Sequence, residues 1–350
     1  MNDPAENVRM IRDSVRAVAP FGAGLGRIRA LRSDPVGIDR AVWQQVTAMG
    51  WLSLLIDEDQ GGLGLGLREL AAIGEELGAA LVPEPVIAVA AIAPLLVGDA
   101  RLRLLGGSMI VVPAWREDIA SPGAQPRTIL SGGRVTGTKI LVASAAAADG
   151  FVVSTTSGAV LVERGATGVT LDLKRTHDGG HRGTLTLADA PCIQLAGDLT
   201  AALELLSLAH AAYLLGAAER AFAMMLEYLS LRRQFGKLIG AFQTLQHRAV
   251  EAKIQLALSR AVLDEAITDI ERNAPPAEQL RSRARAIARM SDTAMLVARE
   301  AIQMHGAIGI TDDHDIGLYC RKILATYNQF GTAGANRARF MANRQAEPAA

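Results

Sequence analysis

The sequence contains few cysteines and no excess of charge of either sign. Only two of its 350 residues are cysteine, Cys192 and Cys320, so a disulfide framework is excluded and no short spacing offers a thiolate metal site. This usage predicts a reducing, cytoplasmic environment. The 36 basic residues balance the 36 acidic ones, which makes the formal net charge +0. Because nucleic-acid binders usually carry a basic excess, we expect no nucleic acid as a partner.

Long apolar runs are also missing. The two longest uncharged runs lie between Glu84 and Asp99 and between Glu204 and Glu219, and both are shorter than the ~18–20 residues that a membrane helix needs. The N-terminal residues 1–16 are charged throughout and lack the apolar core of a signal peptide. We therefore expect no membrane-spanning segment. Half of the residues, 50%, are nevertheless hydrophobic, which is enough for a large core.

The composition changes twice along the chain. Residues 1–105 carry apolar side chains at three- and four-residue steps, as in Leu70, Ile73 and Leu77, which predicts an N-terminal helical domain. Residues 106–198 consist of short apolar runs separated by glycine-containing turns, with no helical pattern between them. This texture predicts a small antiparallel β-barrel or sandwich as a middle domain.

Helical spacing returns in the third domain, residues 199–350. We predict helices at 199–230, 241–272, 276–305 and 314–327, with a further one near the C-terminus and a frayed tail after Arg344. Long helices with short connections are typical of a four-helix bundle. The predicted fold is therefore mainly α, with a central β-domain between two helical domains.

Several common site motifs are absent. The glycine-rich stretches 22–26 and 61–66 do not fit G-x-G-x-x-G and lack a strand–turn–helix context, and there is no P-loop. The cluster of His305 and residues 312–315 could suggest a metal site, but Thr311 followed by acidic residues is typical of a helix N-terminus, so we expect no metal. No G-x-S-x-G occurs, and we expect His210 to be hydrogen-bonded inside the bundle.

Two segments are more informative. In 231–243 two arginines, a phenylalanine and a helix start fall close together, an arrangement that can hold an anion beside a flat ring. In 303–311 a long helix ends in small residues that allow backbone amides to approach a ligand. The alternatives are a charged helix–helix turn for the first segment and a glycine cap for the second.

Together these segments resemble the acyl-CoA dehydrogenases, a family of flavoenzymes with an N-terminal helical domain, a middle β-domain and a C-terminal four-helix bundle. The resemblance covers nearly the whole chain. Its matching motifs are Gly50-Trp51 with Asp57–Gly64, the strand turn Leu130–Lys139, Arg232-x-x-Phe235-Gly236, Phe242-Gln243, and Gln303-x-x-Gly306-Ala307-x-Gly309.

The resemblance implies FAD bound across a subunit interface. Arg232 would contact the FAD pyrophosphate and Phe235 would pack near the adenine. The neighbour's FAD pocket would be completed by Gln243 and by the 303–309 loop with Gln303, Gly306 and Gly309. Thr332 occupies the place of a family threonine near the cofactor. The implied reaction is α,β-dehydrogenation of an acyl-CoA thioester, in which a carboxylate removes the α-proton and the β-hydrogen leaves as hydride to the flavin.

The expected catalytic glutamate is missing. Most family members carry it just before a Gly-Thr pair, where this chain has Phe330, and a minority carry it on the first bundle helix, where this chain has Leu206. Glu204 is two residues away from the second position, about 200° around a helix, which makes it a weak candidate for the base. The flavin-lining segment of the family is matched only loosely by residues 113–123.

One branch of the family accounts for these departures. Some bacterial acyl-CoA dehydrogenases that act on CoA esters of steroids are α2β2 heteromers in which one subunit lacks the base, and this chain resembles that subunit. The partners implied are an acyl-CoA substrate, a base-bearing homologue in a tetramer, and an electron-transfer flavoprotein or similar acceptor. Two alternatives stay open: a self-sufficient homo-oligomeric dehydrogenase with a non-standard base, and a cofactor-free helical scaffold.

Overall fold

A computed structural model describes residues 4–18, 25–119 and 125–344 of the chain. Most of the glycine-rich stretch 22–26, part of the 113–123 segment and the tail after Arg344 lie outside the described residues. The helices are α1 Pro4–Val18, α2 Gly26–Leu31, α3 Arg40–Ala48, α4 Leu67–Ala79, α5 Val86–Ile92, α6 Gly98–Leu105, α7 Leu199–Leu231, α8 Gln243–Glu271, α9 Pro276–His305, α10 Ile316–Thr326 and α11 Ala333–Arg344. The strands are β1 Val111–Ala114, β2 Ile129–Ser131, β3 Arg134–Ala143, β4 Gly150–Thr155, β5 Gly158–Glu163, β6 Val169–Arg175, β7 His181–Pro191, β8 Ile193–Gln194, β9 Arg233–Gln234 and β10 Lys237–Leu238.

The predicted order of helices, strands and helices is confirmed, and the long bundle helices are close to their predicted bounds. Proline at the start of α9 supports the break after α8, because its fixed φ suits a first helical position. The chain forms two compact units, one of residues 1–25, 71–82 and 207–350 and the other of residues 26–70 and 83–206. The division into domains at 105 and 198 stays a prediction.

The second unit contains the β-structure, which is two four-stranded sheets rather than a closed barrel. Their orders are β1-β4-β5-β8 and β2-β3-β7-β6. All sheet pairs are antiparallel except β1 with β4, which are parallel. This parallel pair was not expected, because no helix alternates with the strands; β2 and β3 make the crossover instead. Every residue of β1 is buried, as is typical of a parallel strand covered on both faces.

The second unit contains a buried ion pair. The side chain of Lys139 on β3 is fully buried, and its Nζ donates to Glu117 Oε1 at 2.5 Å and to Ser154 Oγ at 2.9 Å. Glu117 also accepts from the hydroxyl of Thr128 at 2.7 Å. Burial alone would raise the pKa of Glu117, but these hydrogen bonds, one from the backbone of Arg127 and the charge of Lys139 lower it to about 2. Lys139 is the last residue of the motif Leu130–Lys139 that resembles the family. It supplies the positive charge that is paired with Glu117.

In the first unit, α4 and α7 cross with their backbones in contact. A Cβ added at Gly74 would lie 2.5 Å from the carbonyl oxygen of Ala209, and at Gly78 and Gly216 it would overlap backbone oxygens of the facing helix. The crossing is supported by Tyr213, whose hydroxyl donates to Val82 O at 3.2 Å. Because no side chain fits between the helices, glycine is required at these three positions.

An ion-pair network ties four helices of this unit together. Arg12 of α1 binds Glu75 and Glu76 of α4 at 2.8 and 2.7 Å. Arg260 of α8 binds Glu75 at 2.6 Å and Glu219 of α7 at 2.8 Å. The hydrogen bond from Arg260 and its charge, together with those of Arg12, lower the pKa of Glu75 against the opposing effect of burial. The network therefore anchors α1 and α8 to the crossing of α4 and α7.

Within the described residues one helix, α7, is long and apolar enough to cross a membrane by length and composition. However, 78% of its most apolar window is buried inside the protein. It is therefore accounted for as a core helix.

The α4–α7 crossing predicts strong effects of small substitutions. We expect Gly78→Ala and Gly216→Ala to lower the free energy of unfolding by about 3 kcal/mol or more, since the added methyl must push two backbones apart. Gly165→Ala is the control, because an added Cβ there has nothing within 4 Å. Urea unfolding measures all three, and a Gly216→Ala protein as stable as the control would contradict the packing.

The pairing of Lys139 with Glu117 in the second unit predicts that the stability of the protein depends on the charge of Glu117 and therefore on pH. Glu117→Gln leaves the buried Lys139 without a counter-charge, so we expect a loss of about 3 kcal/mol in unfolding free energy, and adding Lys139→Met recovers most of it. Because the pKa of Glu117 falls from 4.5 to about 2 on folding, its contribution is complete above pH 4.5 and is lost as the pH falls towards 2. Urea unfolding across this range measures it; identical acid profiles of wild type and Glu117→Gln would argue against the pair.

Candidate cofactor-binding site

The arginine-rich segment after α7 forms a β-hairpin. The helix ends at Leu231, and β9 pairs antiparallel with β10 through the partners Gln234–Lys237 and Arg233–Leu238. The two turn residues, Phe235 and Gly236, have φ of 54° and 78°, as a type I′ turn requires. The sequence predicted a helix break at Gly236 and missed the hairpin. The usual signal for such a turn is Asn-Gly or Asp-Gly, and phenylalanine stands here in the place of the polar residue.

Phe235 has a strained backbone conformation and an exposed side chain. A bulky residue in the left-handed region costs about 1–2 kcal/mol, yet the side chain is 91% exposed, so burial within the chain does not offset this cost. Its ring meets the edge of Phe242 with a centroid distance of 6.1 Å, and Lys237 Nζ lies 4.2 Å from the Phe242 centroid. A strained aromatic residue held away from the core is typical of a residue that serves a site.

The hairpin lies beside the start of α8. Phe242 is the extended residue before the helix and gives no side-chain cap. Gln243 is the first helical residue and is exposed. Arg232, at the base of the hairpin, is exposed as well. A guanidinium and a helix N-terminus on one surface are suited to bind a phosphate group.

The 303–309 segment contains the C-terminal end of α9 and the turn that follows it. Gly306 caps the helix with φ 69° and ψ −144°, a conformation that favours glycine, and its N–H donates to Ile302 O. The next turn ends at Gly309, which is buried, and a Cβ there would lie 3.0 Å from His305 Cβ. Gln303 and Gly306 are exposed. The small residues therefore keep the backbone at this helix end accessible to a ligand.

Tyr228 and His305 bring the two segments to the same end of the bundle. Their rings stack at a centroid distance of 4.5 Å, and Tyr228 O accepts the N–H of Arg232. His305 Nδ1 lies 2.7 Å from Ala301 O, so Nδ1 carries the hydrogen. Burial lowers the pKa of His305, and the nearby His314 lowers it further while the bond to Ala301 opposes this. His305 thus joins the end of α7 to the end of α9, and its lowered pKa favours the neutral ring.

The helix start near residue 311 differs from the prediction. Thr311 does not cap α10; its hydroxyl donates to Ile308 O, and the ring nitrogen Nδ1 of His314 accepts the N–H of Ile316. Asp312 pairs with Arg321 at 2.6 Å. Among the described residues no group of three His, Cys, Asp or Glu side chains could hold a metal ion.

Thr332 lies at the start of α11, in another part of the unit. Its hydroxyl oxygen accepts the N–H of Ala335 at 3.1 Å, so it is the N-cap of this helix, and its side chain is exposed. The residues around it form one wall of a groove of about 1020 Å³ whose other wall is α9. Its lining includes Arg285, Arg289, Arg299 and Arg337, of which Arg285 is paired with Glu265 and Arg337 with Asp292.

Neither expected position of the catalytic glutamate carries a carboxylate. The ring of Phe330 lies 5.5 Å from the ring of His210, which is 8% exposed. His210 Nε2 is 3.0 Å from Thr326 O, so the prediction of a hydrogen-bonded bundle histidine is confirmed. Leu206 is 2% exposed, and Glu204 is half-buried two residues away. Glu117 lies in residues 113–123, which match the family's flavin-lining segment only loosely, and its carboxylate is paired with Lys139.

Two models of known protein families match most of the chain. The model of the acyl-CoA dehydrogenase C-terminal domain matches residues 198–344, and the model of the N-terminal domain matches residues 5–99. Acyl-CoA dehydrogenase IpdE2 of Mycobacterium tuberculosis is 33% identical over 329 residues, which is 91% of each chain.

Solved structures give the same result. The chain is similar to the ChsE4–ChsE5 complex from Mycobacterium tuberculosis, with a TM-score of 0.86, 26% identity and coverage of 100% of this chain and 99% of that one. It is also similar to the G363A variant of the steroid acyl-CoA dehydrogenase Tcur3481–Tcur3483, with a TM-score of 0.88, 26% identity and coverage of 98% and 99%. The chain therefore belongs to the acyl-CoA dehydrogenase family of oxidoreductases, whose cofactor is FAD.

Proposed function

We propose that this chain is the base-lacking subunit of a heteromeric acyl-CoA dehydrogenase. In this role it donates the hairpin, Gln243 and the 303–309 segment to an FAD site that a base-bearing homologue completes. The observation that carries the proposal is the pair of apolar residues, Phe330 and Leu206, at the two places where the family resemblance expects a catalytic glutamate.

The chemistry of the reaction explains why this observation matters. The α-proton of an acyl thioester is weakly acidic, so its removal needs a base positioned beside it. The rings of Phe330 and His210 are in contact, so phenylalanine supplies apolar packing where most family members have a carboxylate. Leu206 is buried and cannot take a proton. The base therefore comes from another chain.

The residues donated to the cofactor fit an anionic, planar ligand. Arg232 offers a planar set of N–H donors that matches a phosphate. Phe235 presents an open ring face at the tip of the hairpin, 91% exposed. The end of α9 offers backbone at Gly306 without a side chain in the way. Thr332 lies apart from these residues, as the cap of α11, where negative charge is favourable; its place near a cofactor stays a prediction.

The proposed reaction is the α,β-dehydrogenation of an acyl-CoA thioester. Bound FAD would supply the acceptor for the β-hydrogen as a hydride, and an electron-transfer flavoprotein or a similar acceptor would take up the electrons. Of the two similar structures, one is a two-protein complex and the other is a steroid acyl-CoA dehydrogenase, which supports a heteromeric assembly and a steroid-type acyl group for this chain as well.

The first prediction from this proposal concerns the isolated chain. Purified alone, supplied with FAD and an artificial electron acceptor, it is expected not to oxidise acyl-CoA thioesters, because no base is present. The same assay with a co-expressed base-bearing homologue is expected to show activity. A stable yellow homo-oligomer that dehydrogenates acyl-CoA unaided would refute the partner role, and a complex that stays colourless would favour the scaffold reading.

Glu204 distinguishes the proposal from a self-sufficient enzyme with a non-standard base. If the isolated chain is active, Glu204→Gln should abolish flavin reduction by substrate while FAD stays bound. Under the proposal the same change leaves the activity of the complex unaltered, since the base belongs to the partner.

The second prediction concerns the donated residues. We expect Arg232→Ala to weaken FAD binding by the complex at least about tenfold, since a charge-assisted hydrogen bond contributes about 1.5–3 kcal/mol. The neighbouring Arg233→Ala is the matched control, because it removes an exposed arginine of the same hairpin. Equilibrium titration with FAD and thermal unfolding measure both. Equal FAD affinities of the two variants would remove Arg232 from the site.

A further inference from the structure

Helix α8 has apolar side chains on two opposite sides. One side packs against α9 and is buried, as at Ala252 and Leu256. On the other side Val250, Ile254 and Leu258 are 57%, 47% and 46% exposed. A helix at the surface of a protein normally has only one apolar side. The row of Val250, Ile254 and Leu258, called the outer ridge below, therefore has the character of a surface that another molecule covers.

The outer ridge has the spacing of a helix-packing element. Its three residues are four positions apart, and side chains in such a row form the ridge that enters a groove of the facing helix in the commonest class of helix packing. The neighbouring row of α8 contains Ala257 and Ala261, both exposed. Because alanine is small, this alanine row forms a shallow groove beside the ridge. One helix surface thus contains both a bulky row and the space that such a row requires.

The charged residues at the two ends of the alanine row are engaged within the chain. The ammonium of Lys253 lies 6.0 Å from the centroid of the Phe222 ring on α7. The carboxylate of Glu265 is paired with Arg285 of α9 at 2.5 Å. Covering the middle of this surface therefore does not bury an unpaired charge, which would be the main electrostatic cost of an apolar contact.

We propose that this surface of α8 is a contact between two copies of this chain. A two-fold axis midway between residues 255 and 256 places Val250 of each copy against Ala261 of the other, and Ile254 against Ala257. A second copy fits because the ridge and the groove lie side by side on one helix, so that a two-fold axis satisfies both at once. This contact does not depend on the proposed FAD site, and in the proposed heteromer it joins the two base-lacking subunits.

The contact leaves the start of α8 accessible. Helices that pack by such ridges cross at about 50°. At about 1.5 Å per residue, Gln243 lies about 19 Å along the helix from the two-fold axis. At that distance two helix axes that cross at about 50° are displaced sideways by about 16 Å. Gln243 and the hairpin before it therefore remain open to a further chain, as the proposed cofactor site requires.

A charged substitution on the outer ridge tests the contact. Ile254→Glu places a carboxylate in the middle of it, once in each copy. Leu324→Glu on α10 is the matched control, because Leu324 is 48% exposed and Ile254 is 47% exposed. Sedimentation equilibrium of the purified chain is expected to show a dimer for wild type and control, and a dissociation constant raised at least about hundredfold in Ile254→Glu. Urea unfolding of the two variants should match, since neither side chain is buried.

A neutral substitution tests the fit between ridge and groove. Ala257→Leu fills the alanine row without adding a charge, so the ridge of the second copy loses its groove. We expect the dissociation constant of the dimer to rise at least about tenfold. If the surfaces adhered through their apolar character alone, the added leucine would leave the dimer unchanged or tighten it, and this result would overturn the proposed contact.

The complex with a co-expressed homologue distinguishes the possible occupants of the ridge. We expect Ile254→Glu to retain the homologue, because the ridge binds the second copy of this chain. Loss of the homologue from Ile254→Glu, with self-association of the chain unchanged, would assign the ridge to the other subunit and overturn the inference. A purified wild-type chain that stays monomeric would overturn it as well. Self-association of the purified chain is measured without FAD or substrate, so its result is separate from the test of the proposed function.

Discussion

The close crossing of α4 and α7 is the constraint on which the helical unit depends. Three glycines let the two backbones touch, and a methyl group at any of them would overlap a backbone oxygen of the facing helix or approach it within 2.5 Å. Close packing of this kind leaves the helices a single relative placement. Since α7 carries His210 and leads into the hairpin, its placement determines where His210 binds the carbonyl oxygen of Thr326 and where the exposed arginines of the hairpin lie.

The formal net charge of +0 does not show how the charged residues are distributed around this crossing. Carboxylates of α4 bind Arg12 and Arg260 in the interior network, whereas Arg232 and Arg233 lie on the exposed hairpin. In the groove along α9, Arg285 is paired with Glu265 and Arg337 with Asp292. Paired charges therefore stabilise the fold, while the exposed arginines of the hairpin lie where the proposed cofactor would bring phosphate groups.

The two halves of the proposed flavin site differ in this chain. The part exposed at the ends of α7 and α9 has an open aromatic ring, a guanidinium, a helix start and an uncovered glycine turn. The part expected to hold the reacting centre has phenylalanine and leucine in place of glutamate. This asymmetry supports the proposed heteromer, in which a partner subunit would supply the base.

The sequence by itself determined the order of domains, the long bundle helices, the family and the missing glutamate, because helical periodicity and motif residues are local properties of the chain. It did not predict the parallel pairing of β1 with β4, the hairpin with Phe235 at its turn, the hydrogen bond of His314 to the first turn of α10, or the side chains that hold residues 326–332. The hairpin and the His314 bond are local, but they lack the usual sequence signals. The strand pairing and the bonds to residues 326–332 join residues far apart in the chain, such as His210 with Thr326 and Ser291 with Tyr327. Which carbonyl a buried donor reaches is decided only when helices pack, and so only the tertiary structure determined how this segment is held.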